Sequence, residues 1–248
     1  MSTDCLNCTA PVTNNYCANC GQKSSTHRYS VKHFIVHDFV HGVWHVDKGI
    51  LFTLKALFTR PGHSVREYIQ GKRVPFFSFI TLILLILTVS GLIAPYAHGG
   101  MSDLMPKESK IMMNDLEKFI SHYPKLILII AIPVYSCFSL MWFRKAKLNF
   151  SEHLVLNSYR VIVELIIGLL VSALTIFYHN TQVLLFLYFG VMSILGIVYS
   201  IWFYYQFFSV LNYSKIALFL RSTLVPVSYN LLTLIVGIVY AIIAKNRF

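Results

Sequence analysis

The chain has 248 residues, of which 56% are apolar and 12% charged, about half the charged share of an ordinary soluble domain. That balance excludes a water-soluble globule, whose surface would be short of charge. The formal net charge of +11, from 21 Lys and Arg against 10 Asp and Glu, suits anionic lipid headgroups, and beside a long apolar body lipid is a simpler partner than nucleic acid, which is not expected.

Four of the five cysteines fall in "CLNCTAPVTNNYCANCGQ", at Cys5, Cys8, Cys17 and Cys20, spaced C-x2-C-x8-C-x2-C. Each C-x2-C turn offers two thiolates from one tight loop, and two such loops facing each other complete the tetrahedral sulfur cage that zinc accepts. Two disulfides are the competing reading, disfavoured in a reducing cytosol, and iron also suits four thiolates. Four sulfur ligands leave no place for a substrate or a reactive water, so the metal reads as structural. Gly21 frees the backbone to turn toward the sulfurs. Residues 1–22 are thus expected to form a four-cysteine zinc ribbon, whose metal supplies the stability that so short a segment cannot draw from a core. The remaining cysteine, Cys137, lies inside an apolar stretch and reads as packing.

Residues 23–75 are expected to hold cytosolic amphipathic or interfacial helices. In "KHFIVHDFVHGVWHVDKG" four histidines, His33, His37, His41 and His45, recur at every fourth position and spread over an arc of about 120°. Apolar residues fill most of the opposite side, so this helix could lie on the headgroups. Three readings stand: interfacial side chains, a pH-sensitive docking stripe, since imidazole titrates near neutrality, and a second metal site, which would need a third ligand in context. The next segment, "DKGILFTLKALFTRPGHSVREYIQGKR", reads as two further surface helices divided at "RPG". Lys72 and Arg73 then stand directly before an apolar run, where they can reach lipid phosphates.

The pattern D-x-G-x3-T-x3-L-x3-P-G-x3-R-x-Y-I-x-G-K-R, read at Asp47, Gly49, Thr53, Leu57, Pro61, Gly62, Arg66, Tyr68, Ile69, Gly71, Lys72 and Arg73, resembles an uncharacterised bacterial membrane family. Together with the four-cysteine ribbon and "FSEHLVLNSYR" from Phe150 to Arg160, it is similar to a domain of unknown function found mainly in the Bacteroidetes. After the lysine and arginine this chain reads "VPFFSF" where members often carry a tyrosine and a proline. The resemblance implies a multi-pass membrane protein and carries no activity or catalytic residue. In layout the chain is also similar to five-span Yip1-like membrane proteins, an analogy that bears on architecture alone.

Residues 76–248 are expected to form a transmembrane helical bundle, with spans near 76–95, 126–143, 161–178, 183–205 and 223–244. Each approaches or exceeds the ~20 residues that cross a hydrocarbon core. The loop before the second span carries a modest amphipathic helix and no motif. The stretch "FFSVLNYSKIALFLR" between the last two spans could hide an interfacial helix or a displaced boundary. With the N-terminus in the cytosol, fourteen flanking Lys and Arg lie inside and six outside, which places the C-terminus outside by the positive-inside rule. The basic tail "AKNRF" pulls mildly the other way. No cleavable signal pattern opens the chain, and the setting is read as a bacterial cytoplasmic (inner) membrane.

His153, Asn157, Arg160 and Glu164 fall within about 60° of one another on a helix. Such a stripe must face the bundle interior, because lipid offers it no partner. It could serve as a proton or ion path or a polar ligand site, or simply as a structural seam. Gln206, Asn212 and Asn230 could join it from other spans. No nucleophile elbow, phosphate loop or zinc-protease motif is present, so an enzyme is not favoured. The fold class is all-α, a polytopic bundle behind a zinc ribbon. The leading functional expectation is a non-enzymatic adaptor or membrane-organising factor, with a protein partner at the ribbon. The alternative is a transporter or channel for protons, ions or metal that uses the polar stripe.

Overall fold

The structure, a computed structural model, describes residues 4–26, 49–97, 123–178 and 180–245. The histidine stripe of His33, His37, His41 and His45 lies outside the described residues, as does the loop 98–122 with its expected amphipathic helix. Eight α-helices follow the ribbon among the described residues: α1 Gly49–Thr59, α2 Pro61–Ile69, α3 Phe79–Ile93, α4 Pro124–Trp142, α5 Phe150–Leu174, α6 Thr181–Leu185, α7 Ser193–Phe208 and α8 Lys215–Lys245. A π-helical segment, Phe186–Met192, joins α6 to α7. There is no strand among the described residues, only two isolated bridges, Asp4 with Pro11 and Tyr16 with Lys23.

The chain is a multi-pass membrane protein by the length and composition of its helices. Four are long and apolar enough to cross: Phe79–Tyr96, Phe150–Leu174, Gly190–Phe208 and Lys215–Tyr240. The apolar part of α4, Leu126–Trp142, is shorter, so the expected second span is the least complete of the five. Two boundaries differ from those read in the sequence. Helix α5 begins at Phe150, ahead of the expected span near 161–178, because Asn149 and Glu152 form a capping box: Asn149 Oδ1 accepts from the Glu152 amide at 2.9 Å and Glu152 Oε2 accepts from the Asn149 amide at 2.8 Å. The polar residues that follow lower the local hydropathy, yet they are buried inside the bundle. Helix α8 begins at Lys215 instead of near 223, so "FFSVLNYSKIALFLR" holds a displaced boundary and no separate interfacial helix.

The N-terminal part of α5 is the post around which the other helices assemble. Ser151 to Val163 are all buried, packed by α1, α2, α3, α4 and α7. Aromatic rings supply much of the fill. Phe143 stacks on Phe208 with centroids 3.7 Å apart, and Tyr159 meets Tyr68 at 5.0 Å and Phe79 at 5.5 Å, edge to face. Beyond Glu164 this packing opens, and residues 230–240 of α8 are exposed on every side, as a lipid-facing segment must be.

Helices α1 and α2 fasten under the same end of the bundle. Thr53, Ala56 and Leu57 of α1 are buried, while Leu51, Phe52 and Phe58 form an exposed apolar face. Helix α2 is largely enclosed, with Pro61, Gly62, Ser64, Val65, Tyr68 and Ile69 buried. It and α7 cap each other. The Gly62 amide at the α2 start donates to Gln206 Oε1 at 3.2 Å, and Arg66 Nη1 donates to the carbonyls of Gln206 at 3.2 Å and Phe207 at 2.7 Å at the α7 end. Orphan groups at two helix termini are thereby satisfied at once.

Candidate functional site

The ribbon brings Cys5, Cys8, Cys17 and Cys20 together, their sulfurs all within 4.8 Å of one another. Cys5 Sγ lies 3.5 Å from Cys20 Sγ and Cys8 Sγ 3.6 Å from Cys17 Sγ. A tetrahedron of Zn–S bonds near 2.3 Å has edges of roughly 3.8 Å, whereas a disulfide needs about 2.05 Å. The donor set therefore fits a metal such as zinc. The two knuckles repeat one another with the same hydrogen bonds. The Cys5 amide donates to the Ala10 carbonyl and the Thr9 amide to the Cys5 carbonyl; in the second, Cys17 donates to Gln22 and Gly21 to Cys17. Thr9 and Gly21 occupy matching positions with φ of 59° and 75°, a conformation natural to glycine and strained for threonine.

The electrostatics of the thiols divide. The Asn7 side chain, then the Gln22 backbone amide, hold the Cys20 thiol down to about 6. At Cys8 the Ala10 amide acts to lower the thiol, but desolvation and the neighbouring thiols of Cys20 and Cys17 push it up to about 11. Four sulfurs this close cannot all ionise unless a cation sits among them.

Ribbon and bundle touch where the chain turns into the first span. Gly71 has φ of 116°, and a Cβ there would lie 2.7 Å from Leu6 Cδ1. Gln22 Oε1 accepts from the Arg73 amide at 3.2 Å. Lys72 is exposed, and the Arg73 guanidinium lies 5.8 Å over the Tyr68 ring. The irregular stretch that follows is pinned by side chains: Thr53 Oγ1 accepts from the Phe77 amide at 2.7 Å, and the Tyr159 hydroxyl donates to the Phe77 carbonyl at 2.9 Å. The motif residues Thr53, Leu57, Pro61, Gly62, Arg66, Tyr68, Ile69 and Gly71 thus serve packing, capping and turning.

The stripe on α5 divides into two clusters one turn apart. In the first, Asn157 Nδ2 lies 3.1 Å from Ser139 Oγ, 3.3 Å from Ser136 Oγ and 2.8 Å from the His153 carbonyl, while the Tyr204 hydroxyl donates to Asn157 Oδ1 at 2.6 Å. Ser139 Oγ meets His153 Nδ1 at 2.8 Å. All five side chains are buried. In the second cluster Arg160, 0% exposed, pairs through Nη1 with Glu164 Oε1 and Ser200 Oγ, the latter at 3.0 Å. Its Cζ stands 3.6 Å over the Tyr135 ring, which stacks on Tyr229 at 3.8 Å. The Nε and Nη2 atoms of Arg160 are buried with no hydrogen-bond partner.

Glu164, 34% exposed, faces a cavity of about 380 Å³ between α4, α5, α7 and α8, lined also by Tyr135, Gly196, Ser200, Tyr229 and Asn230. The π segment Phe186–Met192 ends at this cavity, which Met192 also lines. Such segments occur often at functional sites. Of the residues expected to join the stripe, Asn230 lines the same cavity as Glu164; Gln206 is committed to the α2 cap, and Asn212 is exposed in the turn before α8. Ser136, Ser139, Tyr135, Ser200 and Tyr204 were not singled out in the sequence. The spacing of Ser136 and Ser139 in an apolar helix was the available signal, since small polar residues mark helix contacts in membranes.

Residues 47–91 match the profile of a family described as "Protein of unknown function (DUF3667)". No curated protein matches the chain, and no solved structure matches it. The matched stretch begins at the α1–α2 hairpin and runs through the pinned turn into α3. It therefore covers the scaffold that holds ribbon and bundle together and stops short of both polar clusters: the chain is similar, over residues 47–91, to a family whose function is unknown.

Proposed function

We propose that the chain is a non-enzymatic membrane protein of transporter or channel type, whose working group is Glu164 in the bundle. The observation that carries this reading is the cavity beside Glu164: a purely structural seam would be closed, as the Asn157 cluster is. An arginine with no exposure beside a carboxylate one-third exposed to that cavity suits a site where ligand or proton meets a held charge. The adaptor expectation rested on the ribbon and the surface helices, and a closed, dry seam would have favoured it. It keeps one support, the polar groove on the ribbon lined by Asp4, Thr13, Asn14 and Lys23, which suits a protein partner.

In this reading the protein sits in a bacterial inner membrane with the ribbon and the α1–α2 hairpin in the cytosol and the C-terminus outside. The exposed face of Leu51, Phe52 and Phe58 rests among anionic headgroups, and Lys72 and Arg73 lie at their level. The four-cysteine centre holds one structural zinc. Metal analysis of purified protein should find about one equivalent, lost when Cys17 and Cys20 are both changed to serine. Nucleic acid has no part.

The test of the working site is a mutant cycle in proteoliposomes that reads proton and potassium flux alongside melting temperature. Glu164→Leu leaves the Arg160 charge buried and unpaired, which costs about 3–5 kcal/mol. Arg160→Leu costs less electrostatically, because Glu164 retains partial exposure. The double change restores stability and abolishes flux. A double variant that is stable and conducts like wild type returns the pair to a structural role and the protein to the adaptor class.

A further inference from the structure

We infer that the cavity beside Glu164 binds a small organic ammonium ion. The inference rests on the reading of that cavity as the working site and adds the class of its occupant. Four features on the cavity wall favour a donor-rich cation. Arg160 engages one carboxylate oxygen of Glu164, Oε1, and a carboxylate accepts about four hydrogen bonds in all. Asn230 uses its amide nitrogen on the Pro226 carbonyl at 2.8 Å, which leaves its side-chain oxygen as an acceptor. The Ser200 hydroxyl already receives Arg160, and Ser193 adds a further hydroxyl to the lining. Tyr229, one face of which stacks on Tyr135, contributes an aromatic ring whose other face can attract a cation.

No cationic donor competes for the space. Arg160, the nearest cation, is fully enclosed behind Glu164 and Ser200 and is absent from the lining. A transition metal is a poor occupant. Among the described residues the only group of three or more His, Cys, Asp or Glu close enough to share an ion is the four-cysteine centre. A volume of about 380 Å³ is at the small end of organic-ligand sites and far more than a proton needs. Met192, Ile197 and Pro226 provide apolar wall for an alkyl portion. The same ammonium chemistry could be presented by a free amine or by an aminophospholipid headgroup.

The experiment is calorimetric titration of the full chain in nanodiscs with n-butylammonium, butyrate and potassium chloride as probes. Discs of phosphatidylglycerol alone are compared with discs that also contain phosphatidylethanolamine. Butylammonium is expected to bind, and butyrate and potassium are not. Weaker butylammonium binding in the phosphatidylethanolamine discs identifies the headgroup as occupant, and equal binding in both identifies a free amine. Two variants protect the result against misfolding. Glu164→Gln weakens binding but also disturbs Arg160. Gly196→Leu keeps both charged groups and, from a Cβ position 3.9 Å from Glu164 Oε1, fills the cavity; it weakens binding by about tenfold or more, with the melting temperature read alongside to show that the fold is kept. Binding of butyrate or potassium as tight as that of butylammonium overturns the ammonium assignment and leaves a ligand site in place. If no probe binds and Gly196→Leu conducts like wild type, both the assignment and the working site fall.

Discussion

The two polar clusters on α5 are separated by a single turn and built on opposite plans. Around Asn157 the neighbours are two serines, a tyrosine and the His153 carbonyl, the amide uses both its nitrogen and its oxygen, and all the side chains are buried. Around Arg160 the groups are charged, two guanidinium nitrogens lack partners, and the carboxylate reaches a cavity. In a low-dielectric interior a completed network stabilises and an incomplete one costs. The contrast teaches that the first cluster holds α4, α5 and α7 in place, whereas the second lowers stability and needs another reason to persist.

Two substitutions press on that contrast. The larger effect is expected at Asn157→Leu, which removes the acceptor of Tyr204 and the donor to Ser136 and Ser139 together; about 2–3 kcal/mol should be lost, read as a fall in detergent melting temperature with no change in any flux. A variant as stable as wild type would show that the closed cluster is not what binds these helices. The smaller effect is expected at Ser200→Ala, on the open cluster. Arg160 Nη1 keeps Glu164, so the loss should be under about 1 kcal/mol, and ligand affinity or flux should move instead. A large stability loss without a functional change would erase the distinction between the clusters.

The parts of the molecule legible in the sequence are those governed by local rules. The cysteine spacing placed four sulfurs in one cage, because two tight knuckles leave few ways to arrange them. The short helical steps from His153 to Glu164 placed these residues on one helix face for the same reason. What the stripe could not say was that it divides, since the division depends on Ser136, Ser139, Tyr204 and Ser200, which come from α4 and α7. Hydropathy put the third span near 161–178, because it treats a polar residue as a surface residue; helix α5 runs from Phe150, and Ser151 to Arg160 are polar in part and buried throughout. The role of Arg66 was hidden because its partners are backbone carbonyls on α7, which no side-chain pattern announces.

The mutual capping of α2 and α7 has a consequence for how such sequences can diverge. A Cβ at Gly62 would lie 2.2 Å from the Phe207 amide nitrogen and 2.4 Å from the Phe203 carbonyl oxygen, so any larger residue forces the two backbones apart. Parting them would break the bonds from Gly62 to Gln206 and from Arg66 to Gln206 and Phe207 in one step. Gly62 and Arg66 are therefore held by the backbone of α7 whatever side chains it carries there, and only the bond from the Gly62 amide depends on the side chain at 206, 144 positions along the chain. In an alignment of related chains positions 62 and 66 should stay fixed while the α7 residues opposite them vary, with position 206 favouring a side chain that can accept a hydrogen bond.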